Sequence, residues 1–408
     1  AAMSGKSITI RRSDGTKSYV DDEATKSANA LVARMGKVFE EWAYADEGRA
    51  AAVVDAFNEK MNTHRDRTYD GVKYLKTVGA NPTINLRRTQ RDGAWRMILS
   101  PSVLLDHVVG AGKTFTAITG VMERRRLGLS RKPMIVVPNH LVMQWASDFY
   151  ALYPGANILA ATPADFSAKN RKRMFARIAS GDYDAVIVGH TSLGYIENDP
   201  EDVRNLLQEK KADLKSGLDE ARRSGESKRT LTQIANRIEK YDEQLKALLE
   251  RSRDDVGFDF TDMGVDYLVV DESQEFKNLE YSTAAERVVG MNDPQGSKKA
   301  FDLYVKVRGL RRRDGGVAFA TGTPVSNSLV EVYTVMSYLA YDELTKRGLN
   351  SFDAWSSAYT QTETRMEYTA TQKLKPRRVL ASLTNLNSLG QLYRQFADTI
   401  TMRTLKEL

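Results

Sequence analysis

The chain has 408 residues, 41% hydrophobic and 28% charged, a globular composition with room for two or three compact units rather than one core. Lys plus Arg outnumber Asp plus Glu by 60 to 53, an excess that suits a polyanionic partner without proving one. With no cysteine and four scattered histidines, a disulfide framework, a thiolate metal site and a cysteine nucleophile are excluded. The start AAMSGKSITIRRSDG has no apolar signal core and no run of about 18 apolar residues follows, so a cytoplasmic chain with no membrane partner is expected.

From about Ala24 to Asn62, apolar residues at helical spacing (Leu31, Met35, Val38, Phe39 and Trp42, then Val53, Phe57 and Met61) predict two amphipathic helices within an accessory region over 1–80. Over 81–199, short apolar runs at Val103–Leu105, Met134–Val137, Asn157–Ala160 and Ala185–Val188 read as buried strands separated by helices, the pattern of a parallel α/β sheet. Residues 200–256 are a charged insertion. Leu231, Ile234, Ile238, Tyr241, Leu245 and Leu248 step by three and four, a coiled-coil seam, and Val203, Leu206, Leu207, Leu214 and Leu218 face it at looser spacing. With SGES at 224–227 as the turn, a helical hairpin is expected, largely self-satisfied and dispensable to the core. It reads either as a solvated spacer or as an arm that touches DNA or a partner through Lys210, Lys211, Arg222, Arg223, Lys228 and Arg229. Strands resume over 257–340, at Tyr267–Val270 and Val317–Ala320, and 341–408 reads as a helical C-terminal extension, clearest at Leu383–Phe396.

Three motifs carry chemistry. In LLDHVVGAGKTFTAITGVM a small-residue loop follows an apolar strand and precedes a helix. There the N–H groups of Gly110, Ala111 and Gly112 can approach phosphate oxygens, Lys113 would reach the β- and γ-phosphates, and the Thr114 hydroxyl would ligate Mg²⁺. The strict Gly-x-x-x-x-Gly-Lys-Ser/Thr pattern wants glycine where His107 stands. In VDYLVVDESQEFKN the strand ends at Asp271, placed to hold Mg²⁺, and Glu272, placed to orient or deprotonate an attacking water. In VAFATGTPVSNSLVEVYTVMSYL a buried strand ends in a Thr-Gly-Thr-Pro turn before a helix. Alone, the second could be a plain strand end and the third a capping turn; in this order they point to a nucleotide site.

These motifs resemble, in order and spacing, the first RecA-like lobe of Swi/Snf-type superfamily 2 helicases and ATPases. NLRRTQRDGAWRMI is similar to the family's glutamine motif, which implies that Gln90 reads the adenine edge with Arg87 nearby. PMIVVPNHLVMQWASDF resembles motif Ia, with Pro138 and Asn139 at the strand end, and YDAVIVGHTSL resembles the DNA-facing motif that follows, with His190 and Thr191. DESQ stands where the family has DEAH or DEAD, so Gln274 takes the position that couples to motif III, represented here by Thr321 and Thr323. More narrowly, HVVGAGKT, AFDLYVKVRGL and FDAWSSAY resemble the large helicase–methyltransferase proteins of phages and mobile elements, including antirestriction proteins of the defence-against-restriction B type.

The resemblance implies a RecA-like fold, ATP and Mg²⁺ as cofactors, double-stranded DNA as partner, and a bacterial cytoplasm or a phage particle as location. It also implies a longer parent with a DNA methyltransferase domain, although no Asn/Asp-Pro-Pro-Tyr/Phe tetrapeptide occurs here. Residues 328–408 are too few for a second RecA-like lobe, so that lobe is expected from a longer chain or in trans. The competing reading, motivated by His107, Gln274 and the missing second lobe, is a degenerate ATPase serving as a structural or DNA-binding module of a phage particle or complex. A nuclease-coupled restriction motor lacks the Asp…Glu-x-Lys pattern.

Overall fold

The computed structural model describes residues 10–13, 18–61, 67–223, 228–250, 258–283, 294–326, 328–368 and 374–407. The chain divides into two compact units, Ala1–Asp66 and Arg67–Leu408, so the first boundary falls ahead of the one expected at residue 80.

In the first unit, β1 (Arg11–Ser13) and β2 (Ser18–Val20) form an antiparallel pair ahead of helices α1 (Asp22–Tyr44) and α2 (Glu47–Met61). Asp21 caps α1 by accepting from the Ala24 N–H at 2.9 Å, which satisfies one of the helix's orphan donors. The stripe Leu31, Met35, Val38, Phe39 and Trp42 is exposed.

The second unit opens with α3 (Gly71–Tyr74) and α4 (Arg88–Leu99) and then alternates strands with helices: β3 (Ser102–His107), α5 (Lys113–Arg126), β4 (Pro133–Val137), α6 (Val142–Leu152), β5 (Ile158–Ala161), α7 (Arg171–Ser180), β6 (Ala185–Gly189), α8 (His190–Leu193). The hairpin α9 (Pro200–Arg223) and α10 (Lys228–Glu250) follows, then β7 (Tyr267–Asp271), α11 (Lys298–Arg312), β8 (Gly316–Thr321), α12 (Val330–Leu339), α13 (Tyr341–Lys346) and α14 (Phe352–Tyr359). The chain closes with β9 (Thr360–Tyr368), β10 (Leu374–Leu383), α15 (Leu386–Phe396), β11 (Ala397–Ile400) and α16 (Met402–Glu407). No helix among the described residues is long and apolar enough to cross a membrane.

Seven strands form one parallel sheet in the order β11-β3-β8-β7-β4-β6-β5. The β-branched runs are buried on both faces, as parallel strands require. Alternate side chains supply two cores. Val103, Leu105, Ile135, Val137 and Val269 pack with α4, α5 and α6 through Met97, Ile118 and Trp145. Leu104, Val136, Val188, Val270 and Phe319 face the other side, covered by α7, α9, α11, α12, α14 and α15 through Ile178, Leu206, Leu303, Met336, Trp355 and Leu392. This is a RecA-like α/β sheet, and β8 between β3 and β7 brings the ends of the three motif-bearing strands side by side.

Two stretches differ from the sequence expectation. The hairpin forms, with Leu207, Leu214 and Tyr241 buried against Ile234, Ile238, Leu245 and Leu248; its turn at 224–227 lies outside the described residues. It is not self-sufficient. Leu206 sits in the main core, and Asp202 and Glu209 pair with Arg313 and Arg308 of the lobe at 2.8 and 2.9 Å. Lys210 packs over Phe301 and Tyr304, and Lys211 pairs with Asp242, so neither is presented to a polyanion; Arg222, Arg223 and Lys228 remain exposed. The C-terminal stretch has the expected helices but adds an antiparallel hairpin, β9–β10, and the seventh sheet strand, β11.

Candidate active site

The phosphate loop leaves β3 at His107 and enters α5 at Lys113. Gly110 and Gly112 have φ of 87° and 86°, the left-handed region where a side chain is strained. At Gly112 a Cβ would also collide with Gln90 Nε2. Gln90 is buried: its Oε1 accepts from the Arg87 N–H at 2.8 Å and its Nε2 donates to the Gly112 carbonyl at 3.2 Å, so the start of α4 braces the loop. Arg87 Nη1 donates to the Gly110 carbonyl at 3.2 Å. Lys113 Nζ donates to the His107 carbonyl at 2.9 Å, and Thr114 lies beside it in the first turn of α5, partly exposed. Ala111 is fully buried, which anchors the middle of the loop.

Two strands away, β7 ends at Asp271, only 6% exposed, and Glu272 turns the chain with φ of 49°. Burial, then the Glu272 carboxylate, push Asp271 up to about 6, against the pull of the Glu272 N–H, Lys113 and the Trp145 side chain. Glu272 Oε2 accepts from Gln274 Nε2 at 2.6 Å; Gln274 Oε1 accepts from the Thr321 hydroxyl at 2.6 Å; Thr321 Oγ1 accepts from the Thr323 N–H at 3.0 Å. Here the amide suits its place: an ionised carboxylate at 274 accepts from Thr321 but has no hydrogen for Glu272. Sequence reading missed a second link between the same segments. Lys277 donates to Ser326 Oγ at 2.6 Å and pairs with the buried Glu331 at 3.1 Å.

At the ends of β4 and β6, Asn139 Nδ2 donates to Thr191 Oγ1 at 2.7 Å and the Thr191 N–H donates back to Asn139 Oδ1 at 3.2 Å, both residues exposed beside Pro138. His190, expected to face DNA with them, turns inward instead. It is 8% exposed, bonds through Nε2 to the Asp271 carbonyl at 2.9 Å and packs edge-on against Phe276. Burial lowers its pKa, and Lys299 adds to that, while the Asp271 carbonyl opposes it. α8 begins at His190 directly after β6, and the ring is held at the end of β7 by the Asp271 carbonyl.

No curated protein matches the chain. Among solved structures, it is similar to the Sulfolobus solfataricus SWI2/SNF2 ATPase core in complex with dsDNA, at 17% identity and a TM-score of 0.36 over 68% of this chain. The chain spans 40% of the length of that protein. The fold rests on the strand order itself. Residues 1–63 match a family described as a domain of unknown function (DUF8437). Residues 95–401 match the family described as "Probable helicase domain", a span that runs from α4 to the residue after β11 and takes in every motif strand. By that match, the chain belongs to the probable helicase domain family.

Proposed function

We propose that the chain is the nucleotide-binding lobe of a Swi/Snf-type ATPase that binds ATP–Mg²⁺ and double-stranded DNA to drive translocation or remodelling. The observation that carries this reading is the convergence of the Gly110–Thr114 loop, the Asp271–Glu272 strand end and the Gln274–Thr321 bond on the ends of three adjacent strands.

The residues fit both cofactors. Backbone N–H groups at 110–112 and the α5 N-terminus favour phosphate, and Lys113 need only leave the His107 carbonyl to reach it. Thr114 and Asp271 would hold Mg²⁺. Burial, then the neighbouring Glu272 carboxylate, raise Asp271 to about 6, and a divalent cation would offset that repulsion. When bound there, Mg²⁺ would neutralise phosphate charge. Glu272 orients a water and takes its proton; Gln274 reports on Glu272 to the Thr321–Thr323 turn; Gln90 and Arg87 flank the loop on the adenine side. Asn139 and Thr191 are the exposed pair for a DNA backbone, and His190 links that edge to Asp271.

A second lobe, from the same longer chain or in trans, supplies the arginines whose absence typically costs about 10³- to 10⁵-fold. The parent would be a phage or mobile-element antirestriction or DNA-modification protein, with a methyltransferase domain beyond this chain. The test is a titration of ATP–Mg²⁺ with single-turnover hydrolysis: micromolar binding, slow hydrolysis and loss of binding in Lys113→Ala are expected. DNA-stimulated turnover of several per second by this chain alone would contradict the need for a second lobe, and no binding would favour a structural module.

A further inference from the structure

The mechanism leaves unused a buried cluster on the other side of the phosphate loop. His107 fills the position where the loop pattern has glycine and is fully buried. Its Nε2 lies 2.7 Å from Asp398 Oδ2 on β11. A carboxylate only accepts, so Nε2 carries the hydrogen; Nδ1 has no partner among the described residues. Arg96 of α4 sits 3.6 Å from Asp398 Oδ1 and donates to the Arg394 carbonyl at 2.6 Å. Gly93 closes α4 over the pair, since a Cβ there would lie 3.2 Å from Asp398 Oδ2 and 3.4 Å from His107 Cε1. The neighbours repeat the link: Asp106 accepts from Tyr393 and Thr399, each at 3.3 Å, and the Val108 N–H donates to the Ile400 carbonyl at 2.9 Å.

We propose that the His107–Asp398 pair positions the phosphate loop and couples nucleotide occupancy to the docking of β11. This rests on reading Gly110–Thr114 as a phosphate loop. His107 holds two things at once: its ring holds β11 and its carbonyl holds Lys113. When Lys113 turns to a phosphate, the constraint on the His107 peptide changes, and that peptide is continuous with the ring bonded to Asp398. β11 is an edge strand, paired to β3 alone, so its release breaks one ladder of the sheet rather than two. Linkage then runs both ways: whatever loosens β11 weakens nucleotide binding, and nucleotide tightens β11. Asp398 is a positioning residue, since it bonds to the residue that precedes the loop.

The experiment measures ATP–Mg²⁺ affinity and amide hydrogen exchange at 397–400, with and without nucleotide, in the chain and in Asp398→Ala and Asp398→Asn. Asp398→Ala strands the buried His107 donor and should weaken binding about tenfold. It should also abolish the slowing of exchange at 397–400 that nucleotide produces in the unaltered chain. Asparagine keeps an acceptor for Nε2, so Asp398→Asn should restore affinity to within about threefold. If Asp398→Ala does not fold, Asp398→Asn and the exchange of the unaltered chain decide. Nucleotide binding in the unaltered chain with no change of exchange at 397–400, or equal affinity in Asp398→Ala, would overturn this inference alone. No nucleotide binding by the unaltered chain would overturn the proposed function with it.

Discussion

On one side of the phosphate loop, Thr323, Thr321, Gln274 and Glu272 form a line of hydrogen bonds that ends on a partly exposed carboxylate; on the other, Asp398, Arg96, Tyr393 and Thr399 close around Asp106 and His107. The first line ends where charge would move during hydrolysis. The second ends on groups that hold a backbone turn. Both are built largely from part-buried side-chain contacts, of 2.6–3.0 Å on the first side and 2.7–3.6 Å on the second, so burial does not tell a rate-setting group from a positioning one; what each network ends on does. Substitutions on the first side should therefore act on turnover, and loss of the Asp398 contact on the second should act on affinity.

The largest separation is expected for Glu272→Gln. Loss of the group that takes the proton should slow single-turnover hydrolysis about 10²- to 10⁴-fold, with nucleotide affinity within about threefold. Equal losses in both would place Glu272 with the binding groups and erase the contrast. Next, Gln274→Ala leaves Thr321 and Glu272 without their shared partner, an effect of about 1–3 kcal/mol, or about 10- to 100-fold in turnover. Gln274→Glu should be worse, because it sets two carboxylates at the 2.6 Å separation now bridged by an N–H. A Glu variant more active than the Ala variant would show that only acceptance from Thr321 matters. Smallest is Tyr393→Phe, which removes one of two hydroxyl donors to Asp106, a carboxyl whose pKa burial already raises. A stability loss near 1 kcal/mol in denaturant unfolding and little change in affinity are expected. A tenfold loss of affinity would mean that Asp106, not His107, carries the link.

The same contrast explains what was legible in the sequence. Six sheet strands announce themselves as short apolar runs, five because they are buried on both faces and the edge strand β5 through its apolar sequence alone, and the three motifs sit directly at the ends of β3, β7 and β8. β11 does not. As an edge strand it reads Ala-Asp-Thr-Ile with two buried positions of four, too short and too polar for periodicity to mark. Its partner His107 lies 291 residues away, so no local pattern joins them. The bond through Gln274 was visible as a position but not as chemistry, since only coordinates show the amide donating on one side and accepting on the other. The hairpin seam was legible for the opposite reason to its lobe contacts. Heptad spacing shows which residues face each other, whereas nothing in the local pattern separates Leu206, which enters the main core, from Leu207, which stays in the seam.

The central claim, that Gly110–Thr114 holds nucleotide phosphates, is tested most directly by calorimetric titration of ATP–Mg²⁺ into the unaltered chain and into Lys113→Ala. The account predicts micromolar binding that Lys113→Ala loses while its melting temperature stays unchanged. Absence of binding in the unaltered chain, or binding that Lys113→Ala leaves intact, would contradict it.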